Sequence, residues 1–317
     1  MKFNCISLFA GVGGIDLGFE LTDHFSTVYA NEIDENATIT YEENFDLEVD
    51  CQDIHNVDPS NIPDFDVLLA GFPCQAFSIA GYRKGFDDEK GRGTLFFEII
   101  RIVREKHPKV IFLENVKNLV SHDNGNTFRV ILDYLTECGY FVKYQVLNAK
   151  DYGNVPQNRE RIYIVAFNNR EDYQRFEFPM PVPLTTNLHD VIDFDKKVDN
   201  KYYYSQSNCN FYETLVKGIK RQNTVYQWRR VYVRENKSDV CPTLTANMGT
   251  GGHNVPLILS KHGIRKLTPH ECFNLQGYPT DYKLPKMASM HLYKQAGNSV
   301  VVSVIKRIAE NIYEAIK

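Results

Sequence analysis

The chain reads as an α/β protein, with a mostly parallel sheet covered by helices on both faces and a smaller, irregular second region. Two observations predict this class. Strand-length apolar runs alternate with amphipathic stretches through the first half. The alternation stops at Pro179, Pro181 and Pro183, beyond which Tyr, Asn, Gly and short polar runs prevail. A third observation sets the scale. With 317 residues, 43% of them hydrophobic and 24% charged, the chain can bury a sizeable core, and a wholly disordered polymer is excluded.

The apolar runs at 3–8, 27–31, 66–70, 109–114, 141–147 and 161–167 have strand length. Helices are expected at about 14–22, 34–45, 94–106 and 126–138, where apolar residues recur at helical spacing. From 186 to about 284 no helical periodicity is evident, whereas Ser299 to Ile316 is apolar at helical spacing again. The expected organisation is therefore a first domain over 1–185, a second over 186–284, and a segment over 285–317 that returns to the first. No apolar run approaches the roughly 20 residues of a membrane helix. The start, Met1 to Phe9, reads as a first strand and not as a signal peptide. Seven scattered cysteines without a C-x-x-C pair argue against a disulfide framework and against a zinc site, which fits a reducing cytoplasm; no metal is expected.

The net charge of −4 hides a separation. Residues 1–66 hold fifteen Asp/Glu and one basic residue, Lys2, while the rest of the chain holds 35 Lys/Arg against 25 Asp/Glu. Residues 217–237 carry Lys217, Lys220, Arg221, Arg229, Arg230, Arg234 and Lys237 against one acid, Glu235, with Tyr226, Trp228 and Tyr232 interleaved. One end would repel a polyanion and the other attract it; a merely solvated surface is the alternative.

Chemistry gathers where the expected strands end. The first runs into Phe9-Ala10-Gly11-Val12-Gly13-Gly14, whose glycines permit a tight turn and close backbone approach to a ligand. The spacing is not G-x-G-x-x-G, which disfavours NAD. The second strand ends in Asn31-Glu32-Ile33-Asp34, where an acid can hold a ribose hydroxyl pair. In Gln52-Asp53-Ile54 an acid could accept from an adenine amino group beside an apolar side chain. Together these point to a nucleoside-bearing cofactor, against an ordinary tight turn for the glycines alone. The third strand leads into Gly71-Phe72-Pro73-Cys74-Gln75, so Cys74 sits at a ligand-binding edge or is a small buried residue. Gly81, Gly85, Gly91 and Gly93 follow, the spacing of a mobile loop able to close over a substrate. The next strand ends in Glu114-Asn115-Val116, with Glu114 either a functional carboxyl at the sheet edge or a helix cap.

These blocks, with Gln157-Asn158-Arg159-Glu160-Arg161, Arg265-Lys266-Leu267-Thr268-Pro269 and Gln295-Ala296-Gly297-Asn298-Ser299, resemble the cytosine-5 DNA methyltransferases of bacterial restriction-modification systems, nearly end to end. The resemblance implies a Rossmann-like class I methyltransferase domain and a target-recognition domain over 186–284. It implies Cys74 as nucleophile, Glu114 on ring nitrogen 3 and the amino group of cytosine, Arg161 pointing at the base, and Arg159 on base or phosphate in support of the nucleophile. It implies S-adenosyl-L-methionine as cofactor, with S-adenosyl-L-homocysteine as product. Phe9, Gly11, Val12 and Gly14 would surround its methionine and ribose, Glu32 would take the hydroxyls, Ile33 and Ile54 would sandwich adenine, and Asp53 would bind the amino group. Gly71, Pro73, Leu95, Asn298 and Ser299 would complete that pocket.

The partner implied is double-stranded DNA, with the target cytosine turned out of the helix. Ser78, Arg83, Arg229, Arg230 and Thr243 are the expected backbone and groove contacts. Thr250, His253 and Asn254 belong to a glycine-rich stretch that reads either as a groove-reading loop or as an ordinary turn. A monomer without an obligate protein partner, DNA-associated in a bacterial cytoplasm and paired in function with a restriction endonuclease of the same site, completes the expectation. The chain departs from the family in a slightly longer loop around 88–93, in Asn154 as an apparent insertion before Pro156, and in His270 where arginine is common. An RNA cytosine-5 methyltransferase and a DNA-binding module without chemistry are the competing classes. The separate recognition domain argues against the first, and the presence of Cys74, Glu114, Arg159 and Arg161 against the second.

Overall fold

The computed structural model describes residues 2–73, 95–250 and 254–317. The chain forms two compact units. The first comprises Met1–Leu147, Glu160–Pro179 and Ile305–Lys317; the second comprises Asn148–Arg159 and Met180–Val304.

The first unit is built on β1 (Phe3–Leu8), β2 (Phe25–Asn31), β3 (Val67–Ala70), β4 (Val110–Val116) and β5 (Phe141–Asn148). After a two-residue strand of the second unit, β6 (Gln157–Asn158), comes β7 (Glu160–Phe167). The sheet order is β2-β1-β3-β4-β7-β5. Strand β1 pairs in parallel with both β2 and β3, and β3 in parallel with β4. All of β3 and all but the last residue of β4 are buried, so both faces are covered, which is why these strands read as continuous apolar runs without alternation.

Strand β7 is the departure from a parallel sheet. It runs antiparallel to β4, with Val110 opposite Phe167 and Val116 opposite Arg161. A fully buried apolar run carries no mark of its direction, so the sequence pattern located the strand without orienting it.

Helices cover the sheet as expected, at Gly14–Glu20, Glu35–Glu42, Leu95–Lys106 and Asn126–Glu137. The helix Leu95–Lys106 buries Phe96, Ile99, Ile100, Ile102 and Val103 in the same core as Ile6, Leu68, Ile111 and Leu113. Each such side chain stabilises the fold by about 1.5–3 kcal/mol. The terminal helix, Val302–Ile316, packs on the first helix where a Cβ at Gly18 would stand 2.5 Å from Ile305 Cβ. Farther along it, Arg175 Nε donates to Ala315 O at 2.8 Å and His24 stacks on Tyr313 with ring centroids 3.5 Å apart.

The second unit holds an antiparallel sheet of β8 (Tyr226–Trp228), β9 (Val233–Glu235), β11 (Leu257–Ser260) and β12 (Gly263–Lys266), in the order β12-β11-β8-β9. Its core is Cys209, Leu215, Ile219, Tyr226, Leu257 and Ile264. Between β9 and β11, β10 (Cys241–Pro242) pairs in parallel with β6. Short helices that the sequence pattern did not mark lie at Tyr212–Gly218, Pro269–Asn274 and Ser289–Asn298. The last buries Leu292, Tyr293 and Ala296 but interleaves them with His291, Lys294 and Gln295, too thin an apolar stripe to be read. Arg265, wholly buried, grips Glu271 with two bonds of 2.8 and 2.6 Å. The inserted Asn154 adopts left-handed φ, and its side-chain oxygen accepts from the amides of Thr185 and Thr186. Among the described residues no helix is long and apolar enough to cross a membrane.

Candidate active site

In a parallel sheet, ligands bind beyond the carboxyl ends of the strands, where the strand order reverses. Here β1 is flanked by β2 and β3, so that point lies beyond Leu8, in Phe9 to Gly14. Phe9, Gly11 and Gly13 all have left-handed φ. A Cβ at Gly13 would lie 2.3 Å from Phe45 Cε2, so this position must be glycine both for its φ and for its neighbour. Val12 and Gly14 are buried, and Phe9 packs at the margin of the core.

The end of β2 is tied to this turn. Glu32 Oε2 accepts from the Gly11 amide at 2.8 Å, and Oε1 accepts from the amides of Ile33 and Asp34 at 2.9 Å each. A carboxylate offers roughly four acceptor positions. Three are therefore used to set the geometry, and Oε2 keeps one acceptor position. Ile33 beside it is 64% exposed, whereas Ile54 is 2% exposed and belongs to the core. Of the two isoleucines, Ile33 offers the larger free apolar surface. Asp53 is half-buried, and its Oδ1 accepts from both the amide and the ring Nδ1 of His55. The His55 amide holds its pKa below the ordinary carboxylate value.

A buried acid that the sequence pattern did not single out lies behind the glycine turn. Asp16 accepts from Ser7 Oγ at 2.9 Å and from Tyr41 OH at 3.0 Å. It joins β1, the first helix and the second. Burial pushes its pKa up to about 6, and the two hydroxyl donors resist that rise. An acid between Ile15 and Leu17 carries no pattern that separates it from a surface residue in a first helical turn.

The ends of β3 and β4 are joined as well. Asn115 Nδ2 donates to Phe72 O at 2.8 Å, which fixes the chain two residues before position 74 against the Glu114-Asn115 segment. A Cβ at Gly71 would be 3.7 Å from Glu114 Oε2 and 3.3 Å from Ile15 Cδ1, so the carboxyl lies over a glycine. Pro73 is exposed, and Leu95 opens its helix at the margin of the core. Because β7 is antiparallel, its first residues stand at this same edge. Arg161 Nε lies 3.1 Å from Glu114 Oε1, the two side chains being 14% and 10% exposed. Cys74, Ser78, Arg83 and the loop over 75–94 lie outside the described residues.

In the second unit, Arg159 is 2% exposed and does not face solvent. Its Nη1 donates to Leu244 O at 2.7 Å, and its Nη2 to Gly297 O at 3.2 Å and to Ser299 O. Arg159 and Arg161, two positions apart, thus have quite different partners. Asn298 is exposed, and Ser299 Oγ bonds Tyr278 OH at 2.5 Å. Thr243 Oγ1 donates to Asn158 O at 2.7 Å. Arg229 and Arg230 form the exposed turn between β8 and β9, with Val231 79% exposed at its tip. Arg221, in the same basic stretch, is engaged with Glu235 and Asp239. Thr250 Oγ1 and Asn254 Nδ2 both donate to Asn247 O. His253 lies outside the described residues.

Comparison with known proteins agrees with this arrangement. The C-5 cytosine-specific DNA methylase family matches residues 3–314. The chain is 65% identical over 309 residues to the type II methyltransferase M.Bsp6I of Bacillus sp. (strain RFL6), covering 98% of each chain. It is 44% identical to the type II methyltransferase M.HhaI of Haemophilus parahaemolyticus, covering 97% of this chain and 93% of that one. The fold is similar to that of a DNMT2 mutant of Spodoptera frugiperda, with a TM-score of 0.76 at 21% identity over 98% of this chain and 100% of that one. The chain belongs to the C-5 cytosine-specific DNA methylases and is a DNA cytosine-5 methyltransferase.

Proposed function

We propose that the protein transfers a methyl group from S-adenosyl-L-methionine to carbon 5 of a cytosine turned out of duplex DNA, through a covalent adduct with Cys74, and protects the sites of a partner restriction endonuclease. The observation that carries this reading is the Glu114–Arg161 pair, 3.1 Å apart at the carboxyl edge, beside the Phe72 carbonyl held by Asn115. A carboxyl and a guanidinium fixed side by side can bind the donor-acceptor edge of a pyrimidine. The chain reaches Pro73 at the same edge.

The residues around the glycine turn fit the donor. A sulfonium nucleoside needs a ribose-binding acid, an apolar surface for adenine and no phosphate cradle. Glu32 retains an acceptor position, Ile33 is exposed, and Lys2 is the sole basic residue among the first 66. Phe9, Gly11, Val12, Gly14, Asp53, Ile54, Gly71, Pro73, Leu95, Asn298 and Ser299 are proposed to complete its contacts. The donor supplies an electrophilic methyl group and leaves as S-adenosyl-L-homocysteine.

Carbon 5 of cytosine is too weak a nucleophile unaided. The Cys74 thiolate would add to carbon 6, forming the S–C6 bond while ring nitrogen 3 takes a proton at Glu114. The resulting enamine places electron density on carbon 5, which then bonds the methyl group. Removal of the carbon 5 proton and breaking of the S–C6 bond, with the ring nitrogen 3 proton returning to Glu114, would restore the aromatic ring and the thiolate. A free thiol titrates near about 8.5, so attack requires a site that favours the thiolate or takes its proton. Arg161 would hold both Glu114 and the base in plane. Turning the base out of the duplex costs a few kcal/mol.

Residues 1–185 are proposed as the catalytic and cofactor domain, 186–284 as the target-recognition domain, and 285–317 as the segment returning to the first. Ser78, Arg83, Arg229, Arg230, Thr243, Thr250, His253 and Asn254 are the proposed DNA contacts. A monomer acting in a bacterial cytoplasm is consistent with this role.

A duplex containing 5-fluorocytosine tests the reading. Fluorine cannot leave as the carbon 5 proton does, so methylation should stall as a denaturation-resistant protein–DNA adduct, located at Cys74 by peptide mass spectrometry. Methylation of ordinary duplex with no adduct on the fluorinated one would overturn the covalent route. Transfer to tRNA in preference to duplex DNA would overturn the assignment of duplex DNA as substrate.

A further inference from the structure

Arg159 stands at a junction of three chain segments, all within the second unit. The guanidinium holds the carbonyls of Leu244, Gly297 and Ser299. Its neighbours do similar work. Gln157 Nε2 donates to Leu275 O at 2.7 Å, Gln157 Oε1 accepts from the Leu244 amide at 3.1 Å, and Asn158 O accepts from Thr243 Oγ1. The two segments so joined also touch directly. A Cβ at Gly297 would be 2.1 Å from the carbonyl carbon of Thr245, so the helix ending at Asn298 lies backbone to backbone against the Leu244–Gly249 segment.

A guanidinium presents five donors in a rigid planar fork, which suits several acceptors fixed in different directions. At 2% exposure, with carbonyls on both terminal nitrogens, the side chain of Arg159 is committed to the protein interior. A phosphate or a base could reach these two nitrogens only by displacing the carbonyls.

We infer that Arg159 is a positioning residue, not a DNA ligand, and that by clamping Leu244 to Gly297 and Ser299 it couples DNA binding at the recognition segment to cofactor binding at Asn298 and Ser299. This rests on the proposed roles of those two segments. Coupling of this kind is reciprocal: the factor by which DNA raises cofactor affinity equals the factor by which cofactor raises DNA affinity.

The wild-type protein supplies a first test without any substitution. Phenylglyoxal modifies accessible arginines, and peptide mass spectrometry locates the adducts. Arg159 should resist modification with or without DNA, whereas Arg229 and Arg230 should react in the free protein and be shielded by DNA. Ready modification of Arg159 that DNA suppresses would overturn the inference. The second test uses Arg159→Lys and Gly297→Ala, with S-adenosyl-L-homocysteine and unmethylated genomic fragments as probes. A lysine can replace an arginine at a phosphate but cannot span three carbonyls. Both variants should lose the coupling, so that the cofactor dissociation constant changes less than about twofold when DNA is added, while the salt dependence of DNA binding stays as in wild type. If Arg159 instead neutralised a phosphate, Arg159→Met would lower the log–log slope by about 0.9. Wild-type protein that binds both probes, with Arg159→Lys retaining the full coupling, overturns this inference alone. Wild-type protein that binds neither overturns the functional reading beneath it and this inference with it.

Discussion

Arg161 reaches Glu114 because β7 runs against β4. The register sets Val116 opposite Arg161, Glu114 lies two residues back on the same face, and the Nε–Oε1 distance is 3.1 Å. In a parallel strand filling the same place, Arg161 would stand opposite Val110, at the other end of β4 and four residues from Glu114. The Glu114–Arg161 pairing is a consequence of one reversed strand.

This pair is largely buried, so removing one partner takes from the other its opposite charge in a poorly solvated place. Arg161→Leu should destabilise the protein by about 3–5 kcal/mol and abolish methyl transfer. Glu114→Gln preserves shape and should lower turnover by about 10²–10⁴-fold with a much smaller loss of stability. Thermal melts alongside single-turnover rates check both; near-wild-type turnover in Glu114→Gln would exclude a proton-handling role.

Cys74→Ser should lose nearly all methyl transfer while still binding DNA. A hydroxyl is far less ionised than a thiol at neutral pH and adds poorly to carbon 6. Retained turnover would remove Cys74 from the mechanism.

The buried Asp16 makes stability depend on pH. Its native pKa, about 6, lies above the ordinary 3.8, so the folded state binds a proton that the unfolded state releases. Its contribution is then fully present below pH 3.8 and is lost as pH rises through 6. Each unit of pKa difference corresponds to about 1.4 kcal/mol, so the loss by pH 7 is on the order of 3 kcal/mol. Asp16→Asn keeps a polar side chain between Ser7 and Tyr41 without the charge. Its stability relative to wild type should rise between pH 4 and pH 7, as read by chemical denaturation; a constant difference across that range would refute the assignment.

Gly18→Ala should overpack the seam with Ile305, where the new methyl would lie 2.5 Å from Cβ. The expected cost is about 1–3 kcal/mol, measured by urea unfolding. An unchanged midpoint would mean that the terminal helix shifts freely to accommodate it.

Neutralising Arg229 and Arg230 together tests the exposed turn between β8 and β9. If they contact phosphates, the salt slope of DNA binding falls by up to about 0.9 for each. If they read bases, sequence preference relaxes instead. Unchanged slope and unchanged preference would show that this turn does not meet DNA.

The sequence by itself determined the strands and helices of the first unit and the blocks by which the family is recognised. Fully buried runs such as Val67–Ala70 and amphipathic ones such as Leu95–Lys106 announce themselves through local periodicity. The glycine turn is legible because a left-handed backbone demands particular residues locally. The tertiary structure alone decided the direction of β7, since an apolar strand has no polarity in its composition. It also decided which residues become partners: Arg159 and Arg161 are two positions apart, yet one is committed to carbonyls at 244, 297 and 299 and the other to Glu114. Asp16 shows the same limit, since nothing in Ile15-Asp16-Leu17 foretells burial behind the turn. Periodicity records which face of an element is buried; it carries no record of what distant segment is packed against that face.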